Sequence, residues 1–407
     1  MRWFSNLNKS EKSAHRWKAE TAVYRPWPAC RSRATRETVI TRSRLQPVMI
    51  RRCNGVTAMS GIGLPAATET FLSERPLASL RHSPGQRPVT STAIKIYDAH
   101  PGTGDLRREV ITGLAGTPKA IPPKFFYDRR GSELFDAICD LPEYYQTRTE
   151  MGILRNCVAE LVEDIGPDCL LVELGSGASK KVRLLLEELR PFSYMGVDIS
   201  KEFLLSSTQT LATDYPWLDV HAACVDFSHT LDIPHCGTFD HKVTFFPGSS
   251  IGNFDPDEAI DLLKRIAQMM DMNGYLLIGV DLKKDISILD AAYNDASGIT
   301  AEFNLNLLAR IRDELDSDID PNTFEHHAFY NPKQGRIEMH LVSRQSQRIR
   351  IDNHFFNFDA GETIHTENSY KYTIEEFAQL ASIAGFRQQQ VWTDDLNLFS
   401  VQLLKTV

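Results

Sequence analysis

The run Leu170-Leu171-Val172-Glu173-Leu174-Gly175-Ser176-Gly177 constrains this chain more than any other stretch. A short apolar segment ends in an acid, a Gly-Ser-Gly turn follows, and Val182, Leu185, Leu186 and Leu189 then keep one helical face. That layout is a buried parallel strand delivering a backbone turn to a bound nucleoside. Gly175 and Gly177 lack the Cβ that would hold a ligand away from the backbone. Gly-x-Gly alone is a weak signal, and a plain tight turn would satisfy it. The second signal is Tyr194-Met195-Gly196-Val197-Asp198, which puts an acid 21 residues after Gly177, where it can take both hydroxyls of a ribose. A third glycine in a G-x-G-x-x-G pattern is missing, which fits a ligand without a pyrophosphate.

Strand-like runs recur at 170–174, 194–198, 220–226, 242–246 and 275–281, with helical patterns between several of them. Ile260, Leu263, Ile266, Ala267 and Met270 mark one such helix. Alternation of this kind predicts an α/β fold with a parallel sheet and right-handed crossovers. After the fifth run the rhythm breaks. A long helical stretch from Ile286 to Leu315 precedes β-type runs at 326–330, 336–343 and 347–358. A helix over 374–385 and two strands at 388–392 and 398–404 then complete a seven-stranded sheet. The expected partition is a nucleoside-binding domain of residues 150–283 plus 371–407, and a second α+β domain of 95–149 plus 284–370, the latter an insertion after the fifth strand.

Residues 1–90 hold 16 Lys and Arg against 5 Asp and Glu, which leaves 29 basic and 48 acidic residues for the remainder. The leader lacks periodicity and reads as a disordered basic segment. An inert tail, a targeting peptide, a nucleic-acid arm and a start codon placed too early are all open readings of it. An acidic body argues against nucleic acid as a partner, and no apolar run is long enough to span a membrane. The seven cysteines form no CxxC pair and read as free thiols in a reducing cytoplasm, the expected location. His326-His327 is a poor chelate because neighbours on a strand face opposite ways, so no metal is expected.

Three further motifs bear on chemistry. Asp226-Phe227 ends a strand and suits an adenine, the acid accepting from its amine and the ring packing on a face; a strand-end acid beside a core phenylalanine explains the pair as well. The loop Phe246-Pro247-Gly248-Ser249-Ser250-Ile251-Gly252-Asn253 stands where amine methyltransferases border the methyl donor, and it lacks the Asp/Asn-Pro-Pro-Tyr of amide- and adenine-directed relatives. Glu367 and Ser369 share a strand face and suit an imidazole, although a solvent-facing edge would look the same.

Over about 95–407 the chain resembles the S-adenosylmethionine-dependent L-histidine Nα-methyltransferases of ergothioneine biosynthesis. The likeness rests on Pro122-Pro123-Lys124-Phe125-Phe126-Tyr127-Asp128, Leu141-Pro142-Glu143-Tyr144-Tyr145, Gly248-Ser249-Ser250-Ile251-Gly252-Asn253, Asp281-Leu282-Lys283-Lys284-Asp285, Arg336-Ile337-Glu338-Met339 and Thr366-Glu367-Asn368-Ser369. It implies a Rossmann-like class I methyltransferase sheet beside a substrate-recognition domain, with S-adenosylmethionine held by Tyr127, Gly175, Lys181, Asp198, Asp226 and Phe227. It further implies that Glu367 and Ser369 read a histidine ring, that Met339 lines the ring pocket, and that Tyr144, Gly248, Asn253 and Tyr293 hold its amine and carboxylate. Tyr144, Gly248 and Asn253 are the implied catalytic group. The expected product is Nα,Nα,Nα-trimethylhistidine, made by a monomer acting on L-histidine. Ser250 and Ala178 stand where threonine is common in such enzymes.

Overall fold

The computed structural model describes residues 94–98 and 103–407, apart from positions 230, 232, 235, 238 and 271. The expectation for the leader 1–90 therefore lies outside the described residues, as do Cys30 and Cys53. In chain order the elements begin with β1 (Lys95–Asp98), α1 (Thr103–Ala115), β2 (Lys119–Ala120), α2 (Arg129–Cys139) and α3 (Tyr145–Ile165). There follow β3 (Cys169–Leu174), α4 (Val182–Leu189), β4 (Ser193–Asp198), α5 (Lys201–Asp214), β5 (Asp219–Cys224), β6 (His241–Phe246), α6 (Pro256–Met270) and β7 (Tyr275–Asp281). Next come α7 (Ile286–Tyr293), α8 (Ile299–Glu314), β8 (Phe324–Asn331), β9 (Arg336–Ser343), β10 (Gln347–Ile351), β11 (His354–Phe358) and β12 (Thr363–Tyr370). The chain closes with α9 (Ile374–Ile383), β13 (Phe386–Thr393) and β14 (Phe399–Thr406).

The main sheet runs β1-β5-β4-β3-β6-β7-β14-β13. Its first six strands are parallel, and β14 is antiparallel to both β7 and β13. All six residues of β3 are buried, as expected of a central parallel strand covered on both faces. The helix α4 buries Val182, Leu185, Leu186 and Leu189, the face read from sequence. On α6 the buried stripe is Ala259, Leu262, Leu263, Ile266 and Met270, and Ile260 and Ala267 sit at its margin. A reciprocal cap between Thr373 and Glu376 starts α9.

Two sequence expectations need correction. The sheet has an eighth strand, because β1 pairs with β5 in parallel, Lys95 beside His221 through Asp98 beside Cys224. Residues 95–98 thus belong to the large sheet and not to the second domain. Lys-Ile-Tyr-Asp is too short and polar to register as a strand by pattern; backbone pairing and the Lys95–Asp219 ion pair at 3.0 Å hold it. The long helix over 286–315 is two helices. Asn294 to Gly298 interrupt it, and the Asp295 carboxylate caps α8 by accepting from the amides of Ile299 and Thr300 at 3.0 and 2.8 Å.

A second buried cluster takes residues from α1, α2, the start of α3, α7 and α8. It packs them on a four-stranded sheet of order β2-β12-β9-β8, with the β10–β11 hairpin beside it. The five described cysteines are free. Among the described residues no helix is long and apolar enough to cross a membrane.

Candidate active site

A cavity of about 1300 Å³ opens over the carboxyl ends of β3, β4, β5 and β6 and reaches β12. It exceeds the ~300–1,000 Å³ of typical single-ligand pockets. Behind it lies a small polar recess shared by Tyr144, Gly248, Asn253, Tyr293, Glu367 and Ser369.

The nucleoside side is built from strand ends. Gly175 and Gly177 have φ of +66° and +49°, and a Cβ at Gly175 would meet nothing within 4 Å. The turn is thus left-handed and open toward the cavity, which fits backbone contact with a ligand. Asp198, at the tip of β4, accepts from the amides of Gly177 and Ser200 at 2.9 Å each. Burial raises its pKa against the pull of those amides. Asp226 accepts from Lys124 Nζ at 2.9 Å and from the Ser228 amide at 3.0 Å. Burial acts to raise its pKa, but the Ser228 and Lys124 contacts outweigh it and hold the carboxyl below the usual range. Phe227 packs edge-on to Phe246. Glu173 is pushed up to about 8 by burial, with the Tyr194 hydroxyl donating to it at 2.6 Å.

Lys181 also lines the cavity, but its ammonium is committed. It meets Glu150 at 2.5 Å, and the same buried carboxylate accepts from the Gly248 amide at 3.0 Å on each oxygen. Glu150 therefore ties the first helical turn after β3 to the donor loop. That loop turns through Gly248 and Ser249, with φ of +79° and +58°, into a short 3-10 turn over Ser250–Asn253. Gly252 there lies against β12 so closely that an added Cβ would sit 2.7 Å from the Tyr370 carbonyl oxygen.

The other wall is aromatic and polar. Tyr127, Phe135 and Phe303 stack edge-on or tilted, and Tyr144 meets Tyr293 with ring centres 6.4 Å apart. Glu367 and Ser369 share a face of β12, and a β-bulge between His365 and Glu367 re-aims the strand there. The Glu367 side chain is buried, lines both cavity and recess, and accepts no hydrogen bond from the described residues. Burial pushes its carboxyl up to about 7, opposed by the charge of Lys371.

Ser369 is different. Its Oγ accepts from Tyr293 Oη at 2.8 Å and from Lys371 Nζ at 2.8 Å. A hydroxyl has two acceptor sites, so its own hydrogen is left to donate. One acceptor and one donor therefore stand two residues apart, the complement of a neutral imidazole with one N–H and one bare nitrogen. Lys371 is in turn held by Asp281 at 2.8 Å, and Asp281 also takes Lys284 at 2.5 Å and Tyr145 Oη at 2.8 Å; Lys371, Asp281 and Tyr145 are buried and Lys284 is partly so.

The fold brings together every residue expected from sequence except Met339. That side chain is 2% exposed in the second core, paired across the sheet from Glu367, and borders neither the cavity nor the recess. The residues that pattern reading missed are Lys124, Glu150, Asp281, Lys284 and Lys371. Asp281, Lys284 and Lys371 fall inside or beside strings singled out above, but nothing in their spacing reveals that they meet. Among the described residues Glu338, His340 and His365 bring ligand-type atoms within 4.8 Å of one another. Arg336 already pairs with Glu338 at 2.9 Å there. His326 instead lies between Asn304 Nδ2 and the Tyr293 carbonyl, at 2.9 Å from each.

A glycine turn answered by an acid on the next strand, on a parallel sheet ending in an antiparallel pair, defines a class I S-adenosylmethionine-dependent methyltransferase. The chain belongs to the family described as histidine-specific methyltransferase, SAM-dependent, whose model matches residues 106–406. It is 42% identical over 305 residues to the histidine N-alpha-methyltransferase of Mycolicibacterium smegmatis, covering 73% of this chain and 94% of that one. The protein of the same name from Mycobacterium tuberculosis is 40% identical, with the same coverage. Ergothioneine biosynthesis protein 1 of Neurospora crassa is 32% identical over 297 residues, covering 68% of this chain and 32% of that one.

Proposed function

We propose that the enzyme methylates the α-amine of L-histidine three times, giving Nα,Nα,Nα-trimethylhistidine for ergothioneine biosynthesis. The observation that carries this is the pair on β12, a buried Glu367 carboxylate that accepts no hydrogen bond among the described residues beside a Ser369 hydroxyl whose hydrogen is left to donate. A buried carboxylate is costly unless hydrogen-bonded, and an imidazole N–H supplies the missing bond.

The residues present fit the methyl donor. Gly175, Gly177, Asp198, Asp226 and Phe227 would hold its adenosine part, with Tyr127 and Lys181 nearer the donor loop. When bound, S-adenosylmethionine supplies an activated sulfonium methyl, so alignment of the acceptor dominates the catalysis. Glu367 and Ser369 fix the ring end of histidine. Tyr144, Gly248 and Asn253 border the space for its nitrogen, and Tyr293 closes the recess behind. Burial keeps the Tyr144 phenol protonated far above its ordinary range, so it orients the amine and does not act as its base. The proton lost before each attack goes to solvent.

The second cluster, within residues 103–149 and 284–370, is assigned substrate recognition, and the large sheet is assigned the donor. The acting unit is assigned as a monomer. Mass spectrometry after incubation with donor and L-histidine is expected to show a species three methyls heavier. Methylation of the ring, or of histamine in preference to histidine, contradicts the assignment.

A further inference from the structure

Gln146 is the third residue after Glu143, in the first turn of α3, and is 2% exposed. Neither its Oε1 nor its Nε2 finds a hydrogen-bond partner among the described residues. It borders both the main cavity and the small recess behind it, together with Tyr144, Gly248 and Asn253. The ammonium groups of Lys181 and Lys371 nearby are already committed, to Glu150 and to Asp281. Buried side-chain amides without partners are uncommon in folded proteins and costly to keep. An amide offers one acceptor and one donor group, and the head group of an α-amino acid offers the reverse, an amine with N–H and a carboxylate.

We propose that Gln146 is a positioning residue that grips an α-amino-acid head group at this neck, Nε2 donating to the carboxylate and Oε1 accepting from the amine. The inference rests on the histidine-methylation reading and adds a further polar hold to it. Two ligands carry such a head group, L-histidine and the methyl donor, and the experiment separates them.

The test is calorimetric titration of the full chain and its Gln146→Leu variant with L-histidine, with histamine and with S-adenosylhomocysteine, alongside thermal unfolding without ligand. Leucine keeps the bulk and removes both polar atoms, so Tm is expected to hold or rise. Binding of one amino-acid ligand is expected to weaken on the order of 10-fold. If histidine weakens more than histamine, which keeps the amine but lacks the carboxylate, the head group is the substrate's; if S-adenosylhomocysteine weakens, it is the donor's. No loss for either ligand, or equal loss for both, overturns the proposal. Gln146→Asn, which keeps the amide on a shorter stem, is expected to restore part of any loss, and an asparagine variant as weak as leucine argues for mere shape. Failure of the unaltered enzyme to methylate histidine would defeat the substrate reading alone, since the S-adenosylhomocysteine titration still judges Gln146.

Discussion

Lys371 and Asp281 form an ion pair at 2.8 Å with both side chains sealed from solvent, which bonds the end of β12 in the four-stranded sheet to the end of β7 in the main sheet. Asp281 also neutralises Lys284, whose pKa burial lowers to about 8. Removing the acid leaves the buried Lys371 ammonium and the partly buried Lys284 ammonium repelling each other, whereas removing Lys371 leaves Asp281 with Lys284. Asp281→Ala is therefore expected to cost about 3–5 kcal/mol, the range for breaking a buried pair, and Lys371→Met less. Urea unfolding of the two variants checks the order.

The role proposed for Glu367 predicts an effect on substrate choice. Glu367→Ala leaves a ring N–H of histidine unpaired, at about 1–3 kcal/mol or more. KM for histidine is expected to rise far more than KM for the donor. Steady-state kinetics with each reactant varied in turn decides this, and equal effects on both refute the role.

The same residue sets a pH dependence. Its carboxyl stands at about 7 in the fold against 4.5 when exposed. Between those values the folded chain binds more protons than the unfolded, so its contribution lowers stability as pH rises through that window. Glu173, at about 8, adds a similar decline extending higher. Denaturant midpoints of the ligand-free protein are expected to fall less steeply from pH 4.5 to 7 in Glu367→Gln.

Gly252→Ala places a methyl against the backbone of Tyr370 at 2.7 Å. Overpacking of this kind costs about 1–3 kcal/mol, and the loop carrying Asn253 must shift. A lower Tm and a reduced kcat are expected together, read by thermal unfolding and initial rates.

Two truncations test the leader and β1 separately. Deleting residues 1–90 is expected to leave activity intact. Deleting through 102 also removes β1, which exposes the edge of β5 and breaks the Lys95–Asp219 and Lys201–Asp98 pairs. Lower stability is expected only in the second, and thermal melts of both with activity assays distinguish them.

The parallel core was readable because its strands are buried on both faces and appear as apolar runs, and the glycine turn with Asp198 identified the ligand end. Pattern failed where polar contacts set the structure. β1 has no apolar signature, and the break between α7 and α8 is made by the Asp295 cap inside a helical rhythm. At the site, resemblance supplied Glu367 and Ser369, but not the reason Ser369 must donate, because that depends on Lys371 and Tyr293 arriving from other elements. Met339 illustrates the reverse: its place beside Glu367 in register does not make it part of the wall.

The close approach of Gly252 to Tyr370 has a consequence for selectivity. In the binding mode proposed above, it rivets the loop that would receive the nitrogen to the strand that would grip the ring, so the span between the two is a fixed length. The cleft then acts as a gauge of side-chain reach as well as of ring chemistry: an amino acid whose imidazole hung from a tether one carbon longer or shorter could satisfy Glu367 and still bring its lone pair off the line of attack.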